Sequence, residues 1–328
     1  MSGLIWSACA RSLARPSAAD RMKVLVTGAS GMVGRNLLSD PRTADYEILA
    51  PRRSELSLTD AASCDAWFAQ HRPDAVIHLA AVVGGIQANI NEPVRFLVEN
   101  TQIALNLFGA ARANGIQTFL NVGSSCMYPR NIDDVLSLPM LLSAPLEPTN
   151  EGYALAKIVS WKLAEYMRRE NPSLQYKTIV PCNLYGLYDH FDAVRSHMVP
   201  AAIMKVVAAA EEGRDTVEIW GDGTARREFM FARDLADFIW TWLPRIEDLP
   251  DLMNVGVGRD HSVTEYYEAI TAAVGYSGGF AYDPSKPAGM KRKLLDVTQQ
   301  TELGWQPKTR LADGIRDTLK YYQAVRTA

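Results

Sequence analysis

Cysteine is scarce in this chain of 328 residues, and its arrangement excludes more than its number does. Cys9, Cys64, Cys126 and Cys182 show no CxxC spacing and no paired pattern. That argues against a zinc site or a disulfide framework and for a reducing compartment, so a cytoplasmic location is expected. An excess of either charge is lacking too. Thirty-four Lys and Arg against 37 Asp and Glu leave a net charge of −3, with no overall pull toward nucleic acid. Cations that bind an anion must therefore be local, and the expected partner is a small molecule. No apolar run reaches the ~18 residues needed to cross a bilayer, and there is no internal repeat or low-complexity tract. What the chain does have is bulk: at 48% hydrophobic content it can bury one large core or two fused ones, but not several independent domains.

Residues 1–21 carry three Arg, several Ala and Ser, and no acid before Asp20, a composition loosely like an organelle transit peptide. A disordered leader or an upstream start codon is the preferred reading, because a strong strand begins directly after Met22. From there apolar runs alternate with stretches of helical period: KVLVT at 23–27, YEILA at 46–50, DAVIHLA at 74–80, QTFLNVG at 117–123 and YKTIV at 176–180, with helices predicted over 32–39, 60–71, 93–113 and 151–170. Runs that are apolar throughout fit strands covered on both faces. The expected class is α/β, a Rossmann-type doubly wound parallel sheet with a smaller C-terminal α/β substrate lobe. The dinucleotide-binding domain is placed at 22–181 and the substrate lobe at 182–328. A helix at 198–212, a strand near VEIW, a Gly/Arg turn (GDGTARREF), a helix at 233–243 and a strand at 253–257 follow in that lobe. Segments near 228–258 are expected to return to the first domain, so that the two interleave.

GASGMVG at 28–34 follows a strand and opens a helix. Gly28, Gly31 and Gly34 supply a tight turn, close approach to a pyrophosphate and strand–helix contact, with Met32 and Val33 beginning the helix on whose N-terminus phosphate would rest. Ser30, inside the turn, either bonds a phosphate or caps the helix. Where NAD-selective sites often place an acid on the ribose, this chain has Arg52 and Arg53, whose paired guanidiniums suit a 2′-phosphate, so NADP(H) is the preferred cofactor. Asp60 either lies near the adenine or caps the next helix. HLAAVVGG, including Ala80, would pass its backbone over the dinucleotide.

Tyr153 and Lys157 stand four apart in a predicted helix and so share a face. The ammonium is expected to draw the phenol, with its ordinary pKa of ~10, toward working pH, as a general acid needs, and could also bond the nicotinamide ribose. GSSCMYP at 123–129 ends the fourth strand, where ligands meet an open parallel sheet. Ser124 or Ser125 would there bond the substrate oxygen that Tyr153 protonates, unless the pair is a plain Ser-rich strand end. Read alone, Cys126 is a reactive thiol or a small buried hydrophobe, and His197 is a functional imidazole or a satisfied residue at a helix start.

Taken together, VGSSCMYP, LEPTNEGYALAK, PCNLYG, SHMVPA, WGDGTARREF and SKPAGMKRKLLD closely resemble the GDP-L-fucose synthases, a family of extended short-chain dehydrogenases/reductases, over about residues 23–325. The resemblance implies epimerisation of GDP-4-keto-6-deoxy-D-mannose at carbons 3 and 5, then NADPH-dependent reduction of the carbon 4 ketone to GDP-L-fucose. Ser124, Tyr153 and Lys157 would be the reductase triad, Cys126 the epimerisation base and His197 its acid. The chemistry is consistent: a ketone at carbon 4 acidifies both neighbouring C–H bonds, and an enolate needs donors such as Tyr153 and Ser124. The resemblance further implies substrate binding by Asn183, Lys205, Trp220, Arg227 and Lys286, the cations among them gripping the diphosphate. Two positions depart from it, for Lys205 and Ser30 stand where fucose synthases are similar to one another in carrying Arg. A related enzyme for another GDP-4-keto sugar, of colitose or heptose type, would look nearly the same in this sequence. A non-catalytic dinucleotide-binding regulator should lack part of the catalytic set, and none is missing. By analogy the helices near 93–113 and 151–170 pair in a homodimer as a four-helix interface.

Overall fold

A computed structural model describes residues 21–192, 196–286 and 289–327; Cys9 and the expected leader, apart from Arg21, lie outside them. The elements run β1 (Lys23–Thr27), α1 (Met32–Leu38), β2 (Glu47–Leu49), α2 (Ala61–His71), β3 (Ala75–His78), α3 (Ile86–Asn91), α4 (Pro93–Ala113), β4 (Thr118–Val122), α5 (Glu151–Glu170), β5 (Gln175–Pro181), β6 (Asn183–Tyr185) and α6 (Met198–Glu211). They continue as β7 (Thr216–Trp220), β8 (Arg226–Arg227), β9 (Phe229–Phe231), α7 (Ala232–Trp242), β10 (Leu252–Val255), β11 (His261–Ser262), α8 (Val263–Val274), β12 (Gly279–Asp283), β13 (Arg292–Lys293), α9 (Thr298–Glu302) and α10 (Leu311–Arg326).

Six parallel strands form the central sheet in the order β10-β5-β4-β3-β1-β2, a doubly wound arrangement. Period-two alternation sends Val24 and Val26 to one face, with Leu37 of α1 and Leu235, Phe238 and Ile239 of α7. Leu25, Val76, Phe119 and Tyr176 go to the other, against Trp67 and Phe68 of α2 and Leu107 and Phe108 of α4. Both faces are therefore dry, which is why the strand sequences lack polar alternation. Phe119 stacks on Phe108 with ring centroids 4.2 Å apart, and burying such a side chain contributes about 1.5–3 kcal/mol. The strand expected at 253–257 does return to the sheet, as β10 beside β5.

A second core joins Val199, Ile203 and Val206 of α6, Val217 and Ile219 of β7, Tyr266 and Ile270 of α8, and Ile315 and Leu319 of α10. Short strands connect the two cores. β6 pairs with β9, and β8 lies between β11 and β13. Among the described residues no helix is long and apolar enough to cross a membrane.

One buried carboxylate ties this junction together. Glu228, between β8 and β9, accepts N–H bonds from Val257 (2.6 Å) and Gly258 (2.7 Å) on Oε1 and from Leu295 (2.9 Å) on Oε2. The main chain after β13 is also bonded to the loop after β4: Leu136 N–H donates to Leu294 O (2.8 Å) and Asp296 N–H to Leu136 O (3.0 Å). Asn254 donates from Nδ2 to the Leu136 and Asp296 carbonyls and accepts from the Tyr128 hydroxyl at 2.7 Å.

Candidate active site

β1 ends in a turn built for close approach. Gly28 has φ of 70°, and a Cβ there would lie 2.8 Å from Ala80 N; a Cβ on Gly34 would lie 2.4 Å from Gly28 O. Only glycine fits either position, which brings α1 and the end of β3 against the turn. Thr27 Oγ1 fixes that strand end by accepting from the Leu79 and Ala80 N–H groups, both at 3.2 Å. Gly31, the N-cap of α1, has no side-chain cap bond, so Ser30 does not cap the helix. Its side chain is exposed at the turn, ahead of Met32 and Val33 in the first turn of α1. Arg52 and Arg53 follow β2, both exposed, and neither pairs with a carboxylate among the described residues. Asp60 takes the capping role: its Oδ1 accepts from Ala62 N–H (2.9 Å) and Ser63 N–H (3.3 Å) at the start of α2.

At the end of β4, Ser124 N-caps a short 3₁₀ turn, accepting from Cys126 N–H at 3.2 Å. Its hydroxyl also meets the Tyr153 hydroxyl. The neighbouring Ser125 is buried in the turn. α5 presents Tyr153 and Lys157 to this point, as their spacing requires. Lys157 is buried, lies 5.9 Å from the Tyr153 ring centroid and donates from Nζ to Val122 O at 2.8 Å, which docks the helix on the last residue of β4. Cys126 Sγ accepts from Asn150 Nδ2 at 3.2 Å and lies 3.7 Å from Lys293 Nζ.

The electrostatics differ from the sequence expectation in one respect. Burial pushes the Tyr153 phenol up rather than down, and the charge of Cys126 adds to this, while the Ser124 bond opposes it. The acid is thus held in its protonated form. Burial pulls Lys157 down to about 8, with the Cys126 charge working the other way. His78, at the end of β3, bonds Thr27 Oγ1 through Nδ1 at 3.0 Å and is pulled down to about 3 by burial and the nearby Lys157 charge, so it is neutral. His197, the N-cap of α6, is exposed and makes no side-chain cap bond. Desolvation by the surrounding protein, then the charges of His190 and Lys293, pull its pKa down. The imidazole is therefore neutral at pH 7 and a somewhat better acid than an ordinary imidazolium once protonated.

The remaining expected residues fall into two groups. Trp220 is half exposed, donates from Nε1 to Glu218 Oε1 at 2.8 Å, and has Lys205 Nζ 5.2 Å and Lys286 Nζ 5.9 Å from its ring centroid. Lys205 also donates to Glu218 O at 3.2 Å. Arg227 of β8 stands in register beside Lys293 of β13, and Asn183 donates from Nδ2 to Glu228 O at 3.2 Å. Burial holds the Arg227 guanidinium below its ordinary pKa. Two contacts of the thiol were not foreseen. Asn150 ends a 3₁₀ turn three residues before Tyr153, in the TNEGY stretch, and Lys293 lies within KRKLLD, downstream of the Lys286 of SKPAG.

A family model described as the NAD dependent epimerase/dehydratase family matches residues 24–256. The chain is similar to a GDP-L-colitose synthase of Yersinia pseudotuberculosis, 53% identical over 301 residues that cover 92% of this chain and 98% of that enzyme. It is also similar to a GDP-L-fucose synthase of Azorhizobium caulinodans, 48% identical over 300 residues, 92% and 96% of the two chains. Among solved structures, a GDP-mannoheptose C4 reductase from Campylobacter jejuni with NADP bound superposes with a TM-score of 0.83 at 27% identity, over 92% of this chain and 98% of that one.

Proposed function

The chain belongs to the NAD dependent epimerase/dehydratase family, and from that premise we propose an NADPH-dependent epimerase/reductase that converts GDP-4-keto-6-deoxy-D-mannose to GDP-L-fucose. One observation carries the reading: the buried Tyr153 phenol has Ser124 and the Cys126 sulfur acting on it and the Lys157 ammonium 5.9 Å from its ring centroid. A reductase alone has no use for the thiol. Similarity to the fucose synthase supports the sugar. A colitose-type substrate, lacking the oxygen on carbon 3, is the second reading, favoured by the colitose synthase at 53% identity.

NADPH, when bound, supplies the hydride for carbon 4. The residues fit that cofactor: the turn at Gly28 is open only because it has no Cβ, and the Arg52 and Arg53 guanidiniums are available to a 2′-phosphate. Cys126, as thiolate, takes the proton from a carbon beside the ketone, and the C–H electron pair moves into the enolate. Ser124 and Tyr153 donate to the enolate oxygen, and His197, having first taken a proton from solvent, delivers it as imidazolium to the carbon from the opposite face. In the reduction Tyr153 gives its proton to the carbon 4 oxygen, and Lys157 stabilises the resulting phenolate. Asn183 and Arg227 hold the nucleotide sugar, with Lys205, Trp220 and Lys286 at its far end.

The deciding experiment incubates the protein with NADPH and a panel of GDP-4-keto sugars in D₂O, with products identified by NMR. Deuterium at carbons 3 and 5 of GDP-L-fucose is the expected result. Turnover of the 3-deoxy substrate alone would move the assignment to colitose, and no NADPH oxidation with any member would sink the reading.

The cofactor assignment has its own test. Arg52→Ala with Arg53→Ala should raise KM for NADPH about tenfold or more while leaving KM for NADH nearly unchanged, since a bidentate phosphate contact is lost. Equal effects on the two cofactors would remove the arginines from the 2′-phosphate.

Assembly as a homodimer is part of the same proposal. Val94, Val98 and Leu105 on α4 and Leu155 and Tyr166 on α5 are exposed apolar side chains on adjoining helices, the kind of patch that a two-fold helical interface would cover. Val98→Glu should convert a dimer to a monomer in light scattering. A wild-type monomer at micromolar concentration would refute the interface.

A further inference from the structure

The geometry points to a task for Lys293 that depends on reading Cys126 as the base. Its Nζ lies 3.7 Å from Cys126 Sγ, and no carboxylate among the described residues pairs with it. Asn150 donates to the same sulfur at 3.2 Å. The sulfur therefore faces an amide donor and an ammonium, the surroundings that favour thiolate over thiol.

We propose that Lys293 is the positioning residue that keeps Cys126 ionised, and so sets the pH range over which the protein abstracts a proton from its substrate. Its placement is a product of the fold. Lys293 reaches the sulfur from 167 residues away in the chain, on a strand held in register with β8. Two residues later the backbone is clamped by Glu228 Oε2, and Leu294 and Asp296 are bonded to Leu136 in the loop that follows Cys126. The backbone on either side of the ammonium is thus fixed to the loop that follows the thiol, at Leu136.

Other charged groups face the sulfur from α5. The Cys126 charge favours the Lys157 ammonium, and it adds to the burial that keeps Tyr153 protonated. His197, at the start of α6, is held neutral in part by the Lys293 charge. Lys293 therefore stands beside one member of the proposed acid–base pair and lowers the pKa of the other. In the step it supports, the thiolate forms an S–H bond as the substrate C–H bond breaks, and that electron pair enters the enolate. The thiol later returns its proton to solvent.

Alkylation by iodoacetamide reads the thiolate without any sugar, so its failure is separable from failure of the function reading. The rate at Cys126 is followed in the full chain by mass spectrometry of the Cys126 peptide from pH 6 to 9.5, which excludes signal from Cys9, Cys64 and Cys182. Lys293→Met should lower the rate at pH 7 about tenfold and move the midpoint up by about one pH unit. Lys293→Arg should keep the wild-type profile. Should Lys293→Met fail to fold by circular dichroism, Lys293→Gln, which keeps hydrogen bonding but not charge, takes its place. An unchanged profile in the neutral variant, accompanied by a raised KM for the GDP-sugar, would overturn the proposal and give Lys293 to the diphosphate.

Discussion

Tyr153→Phe is expected to lower the rate of ketone reduction by about three orders of magnitude, within the 10²–10⁴-fold range of a general acid, while NADPH affinity changes little. The reason is local. Hydride arrival at carbon 4 leaves an alkoxide, and in this pocket the phenol is the acid that meets Ser124 and stays protonated because it is buried. Phenylalanine fills the same space without a proton to give. Hydrogen exchange at carbons 3 and 5 should persist at a reduced level, since Ser124 still donates to the enolate oxygen. The pH profile adds a sign. Lys157 loses its charge as pH rises through about 8, before the buried phenol ionises, so the alkaline limb of the reduction belongs to the lysine. Loss of exchange together with intact reduction, measured by NMR in D₂O and by NADPH absorbance, would refute the assignment.

Cys126→Ser is expected to have the converse effect: deuterium incorporation from solvent falls by at least two orders of magnitude, with NADPH binding unchanged. A serine hydroxyl in the same place still meets Asn150 but does not ionise near neutral pH, so the base is lost while the volume is nearly kept. The variant should still reduce, with added NADPH, a 4-keto sugar that has already been epimerised. Equal deuterium uptake by the two proteins would remove Cys126 from the base role.

These two residues also show how far the sequence could be read. The central sheet was legible because helices cover both its faces, leaving runs such as KVLVT apolar throughout, and α4 and α5 were legible from long amphipathic periods. β6, β8, β9, β11 and β13 are two or three residues long, below the length at which any period exists, and α3 has only six residues. Tyr153 and Lys157 were found by a spacing that a helix translates directly into a shared face. The direction of the Tyr153 shift was not, since it depends on how much protein surrounds the ring. Lys293 was invisible as a neighbour of Cys126 because the contact is made by chain topology, through pairing of β13 with β8, and no local pattern encodes that.

The loop after Cys126 is sewn down at its base, where Arg130 N–H meets Pro145 O at 2.9 Å, and again at Leu136 by the segment after β13. Between these stitches Asn131, with φ of 59°, and the exposed Asp133, Asp134 and Leu142 bear little on the interior. Substitutions there would leave the reacting groups, and the strands that hold them, where they are. A scaffold partitioned in this way can tolerate drift at the loop tip while its anchored base, and the strand end it protects, stay unaltered.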